Sequence, residues 1–534
     1  MKKIITLVTA CFLLIISYAN NVVISNVSLV NGGTNNIYVQ FDLSWENSWR
    51  VVAGQANYDG IWVFFKYKTS DGVWQHLSLN TSTGADFLPA GIAYWRPVSF
   101  PTGAVIHRSA MNTGTGLISA TGIRLTVNNA VGYDIELRSY AIEMVFIPTP
   151  PSDIRFGDGN GVSESRNAFH PVGSDNNHAK NNLLSNVDPN VFDDAEIETP
   201  NDFIINGGGT DGLSGLPINN NFFPTTSAIW CMKYEMTQGA YRDFLNTLTF
   251  IQQTTRTLNP PTSPIGTGAL GVGARNFLEV RIPSVGSTPA VYGCDASGNN
   301  IFDEVNDGEF VSCNLLSWMD LAAWLDWAGM APMTEIHFER ICRGTTSAGP
   351  IIPQFGEYAW GNTSINFGFY TLVSEFTSSE AASDASTTLG NANFNFNPGP
   401  FRNGIFATAT SNRTTSGASF YGVMQMSGDL IEGCVTVGNA AGRSFNKLGT
   451  SRGNGILSTN GNADVPHWPG NVSASNVETL PNGEVTFFAG NKARGGAYYL
   501  PSEYLSISDR THAEMHNGRS GGHGGRGVIV IAMY

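Results

Sequence analysis

Two histidines near the C-terminus, His512 and His516, lie four residues apart, and His523 follows in the same segment. Zinc proteases carry such a pair on a helix in the order His-Glu-x-x-His, with the glutamate directly after the first histidine. Here Glu514 stands two residues after His512, and the surrounding sequence is rich in glycine rather than apolar residues. The order of residues argues against a zinc protease, and we predict a loop.

The cysteines suggest neither a zinc site nor a full set of disulfides. Cys11 lies in the apolar N-terminal segment, and cleavage before it as a lipoprotein would leave a long apolar run on the mature chain. The other five cysteines contain no Cys-x-x-Cys spacing, and an odd number cannot all pair internally. Cys294 and Cys313 flank an Asp- and Gly-rich stretch and either form a disulfide or remain buried free thiols. These five are Cys231, Cys294, Cys313, Cys342 and Cys434.

The composition excludes several other classes. A net charge of −14 without any Lys/Arg run argues against a nucleic-acid partner, because binding phosphates requires a basic surface. The sequence contains no Walker-type glycine loop and no Ser/His/Asp motif. The 534 residues suit two domains, and 60 glycines with only 13% charged residues favour strands and ordered loops.

The N-terminus is typical of a secreted bacterial protein. Lys2 and Lys3 precede an apolar run from Ile4 to Ile16, and Ser17-Tyr18-Ala19 offers a small-x-small cleavage site. We therefore predict a signal peptide over residues 1–19 and a secreted, extracellular or cell-surface location. No later stretch is long and apolar enough for a transmembrane helix.

Residues 20–138 are predicted to form an all-β sandwich. Apolar and polar residues alternate over residues 37–44, and the apolar run from Ile61 to Tyr67 predicts another strand. Several tryptophans could form a surface platform for sugars, but packing in the core is the preferred interpretation. They are Trp45, Trp49, Trp62, Trp74 and Trp95.

Residues 139–534 are predicted to form an α+β domain with few helices. Apolar residues at helical spacing predict helices over residues 238–248 and 318–328, and a shorter helix over residues 335–342. Ser317 and Asp320 have the spacing of a capping box. The segment from Ser163 to Asn221 has the composition of a long loop.

Six segments of this second unit resemble, in order, the motifs of the formylglycine-generating-enzyme (sulfatase-modifying-factor) family. The resemblance implies a C-type-lectin-like fold carrying long ordered loops. The segments are Trp230–Tyr241 (WCMKYEMTQGAY), Ala331–Arg340 (APMTEIHFER), Glu357–Gly361 (EYAWG), Gly422–Glu432 (GVMQMSGDLIE), Arg494–Tyr498 (RGGAY) and Gly524–Val528 (GGRGV).

The resemblance does not extend to the enzyme's chemistry. The family's two copper-binding cysteines correspond to Leu500 and Leu505, and leucine cannot supply the thiolate that copper(I) requires. We therefore expect no copper and no oxidase activity.

A calcium site is the second expectation from the resemblance. The family's calcium loop corresponds to Asp429, Leu430 and Glu432, and Asn393 lies where a second loop begins. Aspartate in place of asparagine keeps a hard oxygen ligand, so calcium is chemically suitable. The alternative is that Asp429 and Glu432 only cap backbone groups in a turn.

The C-terminal segment resembles the ligand-facing end of lectin-fold display proteins, in which a rigid core supports variable loops. The residues predicted to face a ligand are Thr511, His512, Glu514, His516, Asn517, Arg519 and His523. The sequence thus predicts a non-catalytic secreted or cell-surface protein that binds an extracellular protein or glycan. The alternatives are a structural subunit that self-associates in an extracellular assembly and, less favoured, a formylglycine-generating oxidase.

Overall fold

A computed structural model describes most of the chain between residues 21 and 531. The described ranges are 21–157 (without 33–36, 82–85, 99–100, 113–115, 129–134 and 153), 183–184, 227–436 (without 368), 442, 445, 452–471, 478–479, 481, 485–486, 490–511 and 518–531. The predicted signal peptide and Cys11 lie outside these residues. So does most of the predicted loop from Ser163 to Asn221.

The described chain is mostly β-structure with four α-helices. The strands before residue 200 are β1 (Val23–Asn31), β2 (Ile37–Trp45), β3 (Tyr58–Lys68), β4 (Trp74–His76), β5 (Ile92–Trp95), β6 (Ala104–Arg108), β7 (Ile118–Thr126), β8 (Leu137–Ile147), β9 (Ile154–Arg155) and β10 (Leu183–Leu184). The later elements are β11 (Ile229–Met232), α1 (Gln238–Leu245), α2 (Phe250–Arg256), β12 (Leu278–Ile282), β13 (Val291–Cys294), α3 (Trp318–Trp327), β14 (Ala331–Pro332), α4 (Glu335–Arg343), β15 (Thr345–Thr346), β16 (Gly349–Pro350), β17 (Leu372–Val373), β18 (Ala381–Ala382), β19 (Ile431–Val435), β20 (Glu478–Thr479), β21 (Val485–Thr486), β22 (Asn491–Arg494), β23 (His523–Gly524) and β24 (Gly527–Val530). A 3-10 helix covers Ser502–Leu505.

One eight-stranded sheet runs through both predicted units. Its order is β14-β24-β11-β8-β3-β6-β5, with β4 paired to β3. Strand β8 pairs with β3 from Tyr58 to Tyr67 on one side and with β11 on the other. The predicted boundary between residues 138 and 139 falls inside β8. The two predicted units are therefore joined through the middle of a shared sheet.

Strand β3 is buried on both faces. Ile61, Val63 and Phe65 pack against the three-stranded sheet β1-β2-β7, which forms the predicted sandwich with the large sheet. Trp62 and Phe64 point the other way, into the core that contains the helices. The molecule thus has three layers, and β3 lies in the middle one.

Four of the five tryptophans of the N-terminal region pack in the hydrophobic core or against it. Trp45 and Trp62 are completely buried, and the indole N–H groups of both are hydrogen-bonded, to Asp59 and to the carbonyl of Ala328 respectively. Trp49 and Trp95 are half-buried against the larger core. Packing, rather than a sugar platform, is the correct interpretation for Trp45 and Trp62.

The three predicted helices are present with nearly the predicted bounds. Capping boxes begin α3 at Ser317 and α4 at Thr334. Helix α4 ends at Gly344, whose φ of 69° is left-handed and where a Cβ atom would lie 2.1 Å from the Phe420 ring. Helix α2 was not predicted. In the described part of the chain, no helix has the length and apolarity needed to cross a bilayer.

Candidate functional site

The two leucines that the resemblance matches to copper-binding cysteines both lie in apolar surroundings. Leu505 ends the 3-10 helix and is fully buried. Leu500 is half-buried beside Ile431, Ala493 and Ala497. The hydrophobic side chains that cluster with Leu505 are Tyr358, Trp360, Ile365, Ala392 and Phe394. This set of side chains does not fit copper.

The five cysteines are buried free thiols, so Cys294 and Cys313 correspond to the second of the two alternatives above. Burial raises the pKa of the Cys434 thiol well above its usual value. A protonated, enclosed thiol is a poor metal ligand and a poor nucleophile. The cysteines therefore offer no substitute for the missing pair.

Asp429 accepts hydrogen bonds on both carboxylate oxygens. Oδ1 accepts from Asn393 Nδ2 at 2.8 Å and from the backbone N–H of Phe401 at 2.8 Å. Oδ2 accepts from Ser312 Oγ at 2.6 Å and from Gln425 Nε2 at 2.9 Å. Asp429 is fully buried and has a left-handed φ of 73°. Its carboxylate is thus an internal acceptor that joins four segments of chain.

Glu432 forms a buried two-pronged ion pair with Arg526. Its Oε2 accepts from Arg526 Nε at 2.5 Å and its Oε1 from Nη2 at 2.8 Å. Burial alone lowers the pKa of Arg526, but Glu432 outweighs that effect and holds this pKa above its usual value. The guanidinium therefore stays charged and neutralises Glu432.

Glu235 completes this acidic centre. Its Oε1 accepts from the backbone N–H of Leu430 at 3.3 Å. Burial, followed by the charges of Asp429 and Glu432, raises the Glu235 pKa well above its usual value. Burial and the two neighbouring carboxylates therefore disfavour the ionised form of Glu235.

The predicted calcium ligands do not fit calcium in this arrangement. Donors occupy both oxygens of Asp429, and Arg526 occupies both oxygens of Glu432. Only Asn393 Oδ1 and Glu235 Oε2 are left without a hydrogen-bond partner, whereas calcium takes six to eight oxygens. Among the residues that the structure describes, no three His, Cys, Asp or Glu side chains are grouped to hold a metal. The alternative, that both residues only cap backbone groups, holds in part: Asp429 accepts from the backbone N–H of Phe401, whereas Glu432 pairs with Arg526.

A second buried charge network centres on helix α4. Glu335 accepts from Arg510 Nε at 2.7 Å and from Thr436 Oγ1 at 2.7 Å. Arg494 bridges Glu335 and Glu339, with a 2.7 Å hydrogen bond from Nη2 to Glu339 Oε1. All these charged groups are fully buried, so they hold the fold together and cannot meet a ligand.

The predicted ligand-facing residues divide into three groups. Thr511 is exposed, as predicted. The prediction is wrong for Arg519, whose side chain turns inward to Asp320 at 2.9 Å, and for His523, which is buried in β23 beside β19. Arg519 turns inward because it pairs with the buried carboxylate of Asp320, and His523 is buried because β23 pairs with β19. His512, Glu514, His516 and Asn517 lie outside the described residues.

Exposed aromatic rings lie on loops that adjoin the Leu505 cluster, on a surface that was not predicted. Phe396 is 69% exposed and Phe367 is 66% exposed, and the Phe367 ring packs against Phe394 of the Leu505 core at 6.2 Å between centroids. We call Phe367, Phe396, Tyr499 and Leu500 the aromatic face.

Backbone hydrogen bonds join the two halves of the aromatic face. The N–H of Asn395 donates to the carbonyl of Leu500 at 2.8 Å, and the N–H of Asn397 donates to the carbonyl of Tyr498 at 3.1 Å. Phe396 therefore lies opposite Tyr499. A Cβ atom on Gly522 would lie 2.4 Å from the Tyr499 ring, so glycine is required to seat that ring.

The segments that carry the aromatic face contain no charged residues. No charged residue occurs in residues 361–373, 385–401 or 495–502, although the chain as a whole carries a net charge of −14. The run Asn393-Phe394-Asn395-Phe396-Asn397 is the sequence signal that could have revealed this face. Alternating amides and rings without charge are unusual for an exposed loop.

The chain matches no protein-family model and no curated protein.

Proposed function

We propose that this chain is a non-catalytic, secreted binding protein built on a formylglycine-generating-enzyme-like, C-type-lectin-like fold. The observation that carries this proposal is the burial of Leu505, which the resemblance matches to a copper-binding cysteine, in an apolar cluster beside the exposed aromatic face. Such a site can bind a ligand but holds no group that could activate oxygen. The ligand is an extracellular molecule that meets the loops of this face.

The contacts between the six motif segments support the proposed fold relationship. Glu432 of the fourth segment pairs with Arg526 of the sixth, and Arg494 of the fifth pairs with Glu335 of the second. The backbone of Leu430, also in the fourth segment, donates to Glu235 of the first. Segments far apart in sequence thus meet through buried charges. If the short motifs resembled the family only by chance, contacts between them would not be expected.

Metal analysis combined with an activity assay tests the proposal. The mature protein is incubated with copper(I), desalted, and analysed for copper, while a cysteine-containing sulfatase peptide is followed by mass spectrometry. We expect no stoichiometric copper and no aldehyde product. Stoichiometric copper together with peptide oxidation would overturn the proposal. The same preparation, secreted with its own N-terminal segment, is expected to begin after residue 19.

Sedimentation velocity separates this proposal from a structural role. A binding protein is expected to remain one species over a hundredfold range of concentration. Growth into large oligomers or filaments with concentration would favour the structural subunit instead.

A further inference from the structure

Phe396 is held in solvent by a strained backbone. Asn395 has a φ of 62° and Phe396 a φ of 67°, so two successive residues other than glycine adopt the left-handed conformation. Asparagine tolerates this conformation, but for a bulky residue such as phenylalanine it is a true outlier. Strain of this kind persists only where surrounding contacts enforce it, and it is concentrated at functional sites.

Those enforcing contacts are visible on both sides of Phe396. The backbone bonds of Asn395 and Asn397 to the 498–500 segment fix the loop, and the Asn397 side chain donates to the carbonyl of Phe394 at 2.7 Å. The apolar alternative, in which the ring folds onto the core, is blocked because Phe394 already occupies that core. The fold thus tolerates a strained backbone that keeps the Phe396 ring in solvent.

The neighbours of this ring are neutral hydrogen-bonding groups. Asn395 directly precedes Phe396 and Asn366 directly precedes Phe367, and both amides are half-buried. Tyr499, opposite Phe396 in the backbone pairing, is half-buried too. Burial raises the pKa of the Tyr499 hydroxyl, which keeps this hydroxyl neutral. Each ring thus has hydrogen-bonding groups next to its apolar surface.

We infer that the aromatic face binds a neutral polysaccharide, with sugar rings stacking on Phe396 and Phe367. This inference rests on the proposed function and names its ligand class. A sugar ring has an apolar C–H face that matches an aromatic ring, and hydroxyls at its edge that match amides and the Tyr499 hydroxyl. An anionic ligand would find no cation in these segments and would be repelled by the net charge of −14.

Affinity electrophoresis tests the inference with the whole mature protein. Native gels contain galactomannan, xyloglucan or mixed-linkage glucan as neutral polymers, and polygalacturonate as the charged comparison. We expect at least one neutral polymer to retard the protein and polygalacturonate to have no effect. Phe396→Ala and Phe367→Ala should each weaken the retardation about tenfold, which is the effect expected from losing one stacking ring.

Phe87→Ala is the matched control, because Phe87 is 54% exposed but lies next to the small sheet. It should leave the retardation unchanged, and all three variants should keep the wild-type melting temperature. Equal retardation of the Phe396→Ala and Phe87→Ala proteins would overturn the inference. So would the absence of retardation by every neutral polymer, or dimerisation through this face that Phe396→Ala abolishes.

The two proposals fail in different ways. Oxidation of the sulfatase peptide would overturn the non-catalytic function while leaving any retardation by polysaccharide standing. Saturable binding of polygalacturonate that depends on Phe396 would overturn the neutral-polysaccharide inference and leave the binding function in place.

Discussion

The Nζ of Lys66 donates hydrogen bonds of 2.8 Å to the carbonyl of Trp327 and of 2.8 Å to the carbonyl of Gly455. Lys66 lies near the end of β3, in the N-terminal part of the chain, whereas Trp327 is the last residue of α3. The Lys66 amine therefore satisfies a carbonyl at the C-terminal end of α3 that has no partner within the helix. Through these buried hydrogen bonds Lys66 links β3 to the end of α3 and to the segment around Gly455.

Replacing Lys66 with methionine is expected to lower the free energy of unfolding by about 3 kcal/mol. The substitution keeps most of the side-chain volume but leaves two buried carbonyls without a donor. Urea unfolding followed by tryptophan fluorescence measures the loss. Lys68→Met is the control, since Lys68 is exposed and its pair with Glu136 should contribute at most about 1 kcal/mol. Equal losses in the two variants would contradict the role given to Lys66.

The helices were predictable because their signals are local. Ser317 and Asp320 form a capping box within four residues, and Gly344 ends α4 because its φ of 69° suits glycine. Each signal depends only on residues close in sequence. Helix α2 was missed although Thr249 and Gln252 form a capping box too, since its apolar pattern is short.

The layering and the site depended on contacts between distant residues. The continuous apolar run of β3 predicted a strand, yet this run alone could not show that β8 pairs with both β3 and β11. Arg519 looked like a surface residue because nothing near it in sequence reveals that Asp320, 199 positions earlier, draws it inward. Phe396 was missed for a related reason, because its exposure is set by the distant 498–500 segment.

The Glu335 cluster should make the protein sensitive to acid. Burial alone raises the Glu335 pKa, but Arg510, Lys492 and Arg494 outweigh that effect and lower it to about 2 from an ordinary 4.5. The stabilisation is therefore present above pH 4.5 and lost as the pH falls towards 2. Glu335→Gln should cost about 3 kcal/mol at pH 7.

Denaturant titrations between pH 7 and pH 2 measure the difference between the wild-type protein and Glu335→Gln. We expect this difference to shrink as the pH falls through 4.5 towards 2. Glu375→Gln is the control, because Glu375 also pairs with an arginine but is 48% exposed. A difference that does not depend on pH would mean that the charge of Glu335 is not what stabilises the fold.

Glu279 should show the opposite dependence on pH. Burial, together with the charges of Asp295 and Asp307, raises its pKa to about 7 from an ordinary 4.5. The stability that Glu279 contributes is thus complete below pH 4.5 and is lost as the pH rises through 7. Glu279→Gln removes the ionisation, so this variant should gain stability relative to the wild-type protein between pH 5 and pH 8. Melting temperatures at these two values test it, with the exposed Glu136→Gln as a control that should not change.

Leu505 is expected to be the most sensitive position beneath the aromatic face. Cβ atoms added to Gly496 and Gly428 would lie 2.7 Å and 3.2 Å from its methyl groups, so the backbone closes tightly around this side chain. Leu505→Ala should therefore leave a cavity and cost about 3 kcal/mol, whereas Leu389→Ala, at a 40% exposed position, should cost about 0.5 kcal/mol or less. Urea unfolding of both variants measures the costs. A small loss for Leu505→Ala would contradict this tight packing, and the cluster that Leu505 shares with Phe394 would then give the aromatic face no rigid support.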